Sequence, residues 1–103
     1  MKLLETQKEF SKLIALLIFY AYQQGYTITF GDAWAKEGHR AGSLHYERCA
    51  IDLNLFRDGE YLTLTSDHLP LGNFWESLHP RCRWGGHFAK KDGNHYEMVP
   101  DQG

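Results

Sequence analysis

The sequence predicts a single α+β domain over residues 1–103, a small antiparallel sheet backed by an N-terminal helix. Three observations predict it. Leu3, Phe10, Leu13, Ile14, Leu17, Ile18 and Ala21 recur at steps of three and four, with Glu5, Lys8, Glu9 and Lys12 on the other side. From Arg48 to Phe56 the apolar period changes to two, and the Asp58-Gly59 turn that follows is a hairpin signal. A chain of 103 residues has room for one hydrophobic core.

The helix is expected to end at Gly25, because glycine accepts the left-handed conformation of a helix cap. Tyr26 to Phe30 is β-branched or aromatic throughout and reads as a strand, which Gly31 to Trp34 continues or bulges. Ala35 to Gly42 is polar and reads as a loop. In the strand from Arg48, Ile51, Leu53 and Leu55 share one face with Cys49, and Ala50, Asp52 and Asn54 take the other. Tyr61 to Thr65 is the return strand. Leu71, Phe74, Trp75 and Leu78 are spaced for one face of a short helix ending before Pro80. Trp84 to Phe88 is a tight glycine-rich segment, Lys90 to Asn94 a turn, His95 to Val99 a last strand, and Pro100 to Gly103 a frayed tail.

Composition excludes several classes. At 43% hydrophobic and 23% charged the chain is not disordered. A net charge of −2 gives no general attraction to nucleic acid or anionic lipid. Cys49 and Cys82 are too few for a secreted disulfide scaffold and fit free thiols. Leu13 to Tyr22 is a continuous apolar run behind Lys2, Lys8 and Lys12, which imitates an export signal. It has no small-x-small cleavage site and falls short of the roughly 20 residues that span a bilayer. A core helix without stable membrane insertion is the expectation, made in the cytoplasm with no cleavable signal.

Six histidines in so short a chain invite a site. Asp52 is a carboxylate among Ile51, Leu53 and Leu55, and a buried carboxylate needs a partner. Pattern alone favours a residue of a solvated face. His45 and Asp52 are seven apart, about 23 Å on a straight strand and on opposite faces, so they meet only if the chain bends near Tyr46-Glu47. A catalytic zinc takes three His, Asp or Glu ligands and keeps one position open for water. His45, Asp52 and His95 would supply that set, and Asp92, on the turn just before His95, would take the proton of the attacking water. Glu97, two residues past His95, would orient a ligand imidazole or stand as an exposed carboxylate. His79-x2-Cys82-x4-His87 is only loosely zinc-like, and His39 and His68 read as surface loop residues.

The segment Ser43-Leu44-His45-Tyr46-Glu47-Arg48-Cys49-Ala50-Ile51-Asp52-Leu53 resembles the S-x-H-x6-D motif of the zinc D-alanyl-D-alanine carboxypeptidases and L-alanyl-D-glutamate peptidases, the vancomycin-resistance-type enzymes and phage endolysins. Trp84-Gly85-Gly86 is similar to the W-G-G ahead of that family's second motif, and Asp92-Gly93-Asn94-His95-Tyr96-Glu97 to its D-x-x-H-[FY]-E. The resemblance runs in order from the first helix through Glu97. It implies the small zinc-peptidase fold shared with hedgehog signalling domains. It also implies a Zn2+ held by His45, Asp52 and His95, with Asp92 as general base for cutting a stem peptide of peptidoglycan in the cell wall. Ser43 would brace the ligand loop beside substrate, and Arg40 or Lys36 would stand in for the family's substrate-holding arginine. From its place beside Gly86, His87 would meet substrate or stabilise the tetrahedral intermediate, and Trp84 reads equally as a substrate contact or as plain core. The expected unit is a stand-alone catalytic monomer; a non-catalytic zinc module of the same fold is the alternative. The chain departs from the family in lacking its upstream arginine motif, in His87 where an acidic residue commonly follows W-G-G, and in Arg48-Cys49 where a glycine is common.

Overall fold

A computed structural model describes residues 2–34 and 42–100. Helix α1 (Lys2–Gln23) is followed by strands β1 (Thr27–Phe30), β2 (Ala50–Arg57) and β3 (Glu60–Leu62). Helix α2 (Leu69–Leu78), β4 (Cys82–Trp84) and β5 (His95–Met98) complete an α+β domain, with single 3-10 turns at Thr65–His68 and Gly85–His87. The sheet is antiparallel, in the order β1-β2-β5-β4, with β3 also paired to β2. None of the described helices is long and apolar enough to cross a membrane.

The expected helix periodicity holds from Phe10 onward. Phe10, Leu13, Ile14, Leu17 and Ala21 are buried, and Ile18 packs half-buried against them. Leu3, expected on this face, is 39% exposed, and Thr6 continues the buried stripe in its place. A polar residue is tolerated there because Thr6 Oγ1 donates to Lys2 O and accepts from Arg81 Nη1. Gly25, at φ 91°, ends α1, and Tyr26 N–H reaches back to Ala21 O as in a Schellman cap. The β2–β3 hairpin turns through Asp58 and Gly59, both at positive φ, which matches the twist of the strands it joins.

Sheet register assigns every strand residue to one of two faces. Ile51, Leu53, Leu55, Tyr96, Met98, Cys82 and Trp84 belong to the core that α1 and α2 cover. Phe10 meets Trp75 edge-on at 5.8 Å between ring centroids, and Tyr20 stacks on Phe74 at 4.0 Å. Trp75 Nε1 donates to Glu97 O at 2.9 Å and Arg83 O at 3.2 Å, so α2 holds the two neighbouring strands together. Cys49 and Cys82 are free and buried, and burial raises both thiols, to about 11 and about 12.

Three expectations are corrected. The return strand stops at Leu62 rather than Thr65, because Thr65 opens a 3-10 turn. β4 was not anticipated; its three residues carry too short a pattern to mark a strand. His68 is not a surface residue: it is 3% exposed, with Nδ1 2.8 Å from the Tyr96 hydroxyl. Burial there, against the opposing charge of Asp67, lowers its pKa to about 4, so the ring is neutral at pH 7.

The helix face assignment has a direct check. Leu17→Ala should cost about 2–5 kcal/mol by chemical denaturation, because Leu17 is fully buried. Leu16→Ala, at a position 45% exposed, should stay within about 0.5 kcal/mol. Equal costs would contradict the packing described.

Candidate metal centre

The opposite face of the sheet carries the polar residues. In the β2–β5 pairing Asp52 stands across from His95, and in the β4–β5 pairing Arg83 stands across from Glu97. Alternation therefore puts Asp52, His95, Glu97 and Arg83 on one side and Ile51, Tyr96 and Trp84 on the other.

His45 arrives from outside the sheet. The chain bends through Ser43 to Arg48, with Tyr46 N–H donating to Ser43 O, Glu47 N–H to Leu44 O and Arg48 N–H to His45 O. Arg48 sits at φ 58°, and Cys49 N–H returns to Leu44 O as β2 begins. This is the bend that the seven-residue spacing requires. Ser43 Oγ accepts the His45 N–H at 3.2 Å, and Gln7 Nε2 of α1 donates to Glu47 O at 2.9 Å. The turn is thus tied both internally and to the first helix.

His45 Nε2, Asp52 Oδ1 and His95 Nδ1 form a near-equilateral triangle. Its sides are 3.2 Å (His45–Asp52), 3.3 Å (Asp52–His95) and 3.2 Å (His45–His95). A ring nitrogen directs its proton or lone pair along one in-plane line, so three such contacts cannot all be good hydrogen bonds. A cation between the atoms satisfies all three. Tetrahedral bonds of about 2.0–2.2 Å put neighbouring ligand atoms about 3.3–3.6 Å apart, close to the sides observed. Among the described residues this is the group of His, Cys, Asp and Glu side chains placed to hold a metal ion. His45 and His95 are buried and Asp52 is half-buried.

The next contacts fix the ligand rings. Arg83 donates to Glu97 Oε2 through Nε at 3.0 Å and Nη2 at 2.6 Å. Burial acts to raise the Glu97 carboxyl, but the bonds and charges of His95 and Arg83 outweigh it and hold Glu97 ionised. Its Oε1, an acceptor only, takes the His95 Nε2–H at 2.6 Å. That bond leaves Nδ1 as the atom His95 offers to the triangle. Burial would lower the pKa of His95, but hydrogen bonds and charge from Asp52 and Glu97 prevail and raise it to about 9. Asp52 is pushed the other way, to about 2, because the two imidazoles outweigh its burial.

The Trp84-Gly85-Gly86 segment acts through space rather than through function groups. A Cβ on Gly85 would collide with the carbonyl of Asp92 and crowd the Cβ of His95, and one on Gly86 would collide with the Trp84 ring. Only glycine lets the Asp92 turn close on β5, where Asp92 N–H donates to Gly85 O and His95 N–H to Asp92 O.

The triangle opens into a cavity of about 790 Å³, a volume suited to a small ligand or peptide. Ser43, Asp92, Arg83, Lys90 and Lys91 share its walls with the three candidate ligands. Asp92 therefore lines the same cavity as the three candidate ligands. Two expected substrate contacts do not. Trp84 is 2% exposed in the core, its Nε1 donating to Gly93 O, so its role is packing. His87 points elsewhere: its Nδ1 lies 2.9 Å from Glu76 Oε1 and it does not line the cavity. Lys36, His39 and Arg40 lie outside the described residues. Arg83 was missed by the sequence reading; its only signal was the Cys82-Arg83-Trp84 alternation. His79 Nδ1 accepts the Arg81 N–H, and it does not converge with Cys82 and His87 on a second metal group.

No protein-family model matches the chain, and no curated protein matches it.

Protons and metal compete for His95 Nδ1, so ion binding should release a proton. Apparent zinc affinity should rise roughly tenfold per pH unit between pH 6 and 8, measured with a competing chelator. A flat profile would contradict the site. Glu97→Gln should weaken zinc binding about 10–100-fold without unfolding the domain; unchanged affinity would show that the Glu97 contact does not orient the ligand.

Proposed function

We propose that this chain is a zinc peptidase of the D-alanyl-D-alanine carboxypeptidase and L-alanyl-D-glutamate peptidase type, with the zinc-peptidase fold shared with hedgehog domains. Its substrate is a peptidoglycan stem peptide, cut beside a D-amino acid, so it works at the cell wall and as a monomer. The observation that carries this reading is the His45–Asp52–His95 triangle with Asp92 on the wall of the same cavity. Residues from two of the motifs quoted above, Ser43–Leu53 and Asp92–Glu97, line that cavity, and Gly85 of Trp84-Gly85-Gly86 lies against the Asp92 turn from behind.

Two imidazoles and one carboxylate are a donor set that zinc accepts, and the side lengths would suit one ion held by His45, Asp52 and His95. Bound zinc would supply Lewis acidity, lowering the pKa of a water toward 7 and polarising the peptide carbonyl. Asp92 takes the proton as water attacks and delivers it to the leaving amine. Its backbone anchors to Gly85 and His95 fix the carboxylate's turn relative to His95, the first residue of β5. Glu97 and Arg83 hold the His95 ring against rotation. Lys90 and Lys91 give the cavity wall positive charge facing an acidic peptide.

Asp92→Ala should retain zinc and lose about 10²–10⁴-fold in release of peptide from purified cell walls. Mass spectrometry of the wild-type digest then identifies the bond. Cleavage by Asp92→Ala at the wild-type rate would remove Asp92 as the base. Stoichiometric zinc with no release by the wild type would leave a non-catalytic zinc module.

A further inference from the structure

A second cavity, of about 280 Å³, adjoins the candidate metal centre. Lys91 and Asp92 line both, so the turn that carries the proposed base is the ridge between them. Beyond that ridge the walls come from the β2–β3 hairpin, from residues 63–65, and from Gly93 and Asn94 ahead of β5.

The chemistry of these walls is distinct. Apart from Lys91 and Asp92 they carry no ammonium, guanidinium or carboxylate. They offer instead the amides of Asn54 and Asn94, the hydroxyls of Thr63 and Thr65, the Tyr61 phenol and the His68 imidazole. His68 is the telling residue, because it is 3% exposed. Its Nδ1 is engaged by the Tyr96 hydroxyl, and its Nε2 has no partner among the described residues. With Nδ1 taken, Nε2 is the ring atom that His68 can offer to a ligand in the cavity it lines. The ring is neutral at pH 7, so it suits a neutral partner. Tyr61 is 55% exposed at the rim, its ring set 5.1 Å from Phe56. It provides a flat apolar face beside the hydrogen-bonding groups.

We propose that this second cavity is a binding subsite for an uncharged segment rich in hydroxyl and amide groups, of the kind an N-acetylated sugar or a peptide backbone presents. Charged groups find no counter-ion past the ridge, and a purely apolar group would displace water from the Asn, Thr and His groups without replacing its hydrogen bonds. The inference rests on the proposed function in one respect: peptidoglycan joins stem peptides to N-acetylated sugars, so a peptide at the metal centre brings such a segment with it.

The test reads binding without turnover. The full chain loaded with zinc is titrated by NMR with the N-acetylglucosamine tetramer and, separately, with a free alanyl-glutamyl peptide. One of the two should produce saturable shifts at Asn54, Tyr61, Thr65 and the His68 ring, and which one does identifies the source. Asn54→Ala and Tyr61→Ala should each weaken that binding about tenfold or more while zinc affinity stays within twofold. Absence of saturable shifts with both probes at millimolar concentration would overturn the subsite, as would shifts that neither variant moves. A chain that binds a probe here but cuts no peptide would refute the peptidase reading alone. One that cuts peptide while this cavity stays silent would refute the subsite alone.

Discussion

Asp52 stands across from His95 in the β2–β5 pairing, and the rest of the site depends on that register. A slip of β5 by one residue would turn His95 into the core, away from Asp52, and bring Tyr96 out to the polar face. The core forbids it: Ile51, Leu53, Leu55, Tyr96 and Met98 are all buried against the helices, and Trp75 bonds the backbone carbonyls of Arg83 and Glu97 from α2. The same apolar packing that stabilises the domain therefore fixes the distance between two candidate metal ligands. His45 is the third, and its position relies on a separate device, the bent turn tied by Ser43 and by Gln7.

The electrostatics follow from this placement. Arg83 compensates Glu97, Glu97 takes the proton of His95 Nε2, and Nδ1 faces Asp52 and His45. The chain of contacts crosses β4, β5 and β2 in order, one residue from each strand with Glu97 between. Without an ion, His95 between two carboxylates is a stable imidazolium, which explains its raised pKa. With an ion, that proton is the group displaced. The glycines of Trp84-Gly85-Gly86 belong to the same design: they contribute no chemistry, but their missing Cβ atoms let the Asp92 turn lie against His95.

How much of this was legible in the sequence depends on the length of each pattern. The first helix repeats its apolar positions from Phe10 to Ala21, and β2 carries eight residues of alternation before a positive-φ turn, so both could be read directly. β4 has three residues, too few for a period, and with it went Arg83. Ligand types were legible because Asp52 is out of place in an apolar strand and needs partners. The contacts that hold them were legible only in part: Glu97 two residues from His95 could be inferred, whereas Arg83 reaches Glu97 across strands. Trp84, His87 and His68 show the limit most plainly. A tryptophan or histidine near a motif is equally suited to core or cleft, and only the fold places Trp84 in the core, pairs His87 with Glu76 and buries His68 against Tyr96.

The candidate centre stands or falls on whether the three atoms of this triangle hold one metal ion. Crystals of the protein grown with zinc, with diffraction data collected on both sides of the zinc absorption edge, test it most directly. One anomalous peak is expected, at about 2.0–2.2 Å from His45 Nε2, Asp52 Oδ1 and His95 Nδ1. An ordered triangle with no peak, or a peak held by other residues, would contradict it.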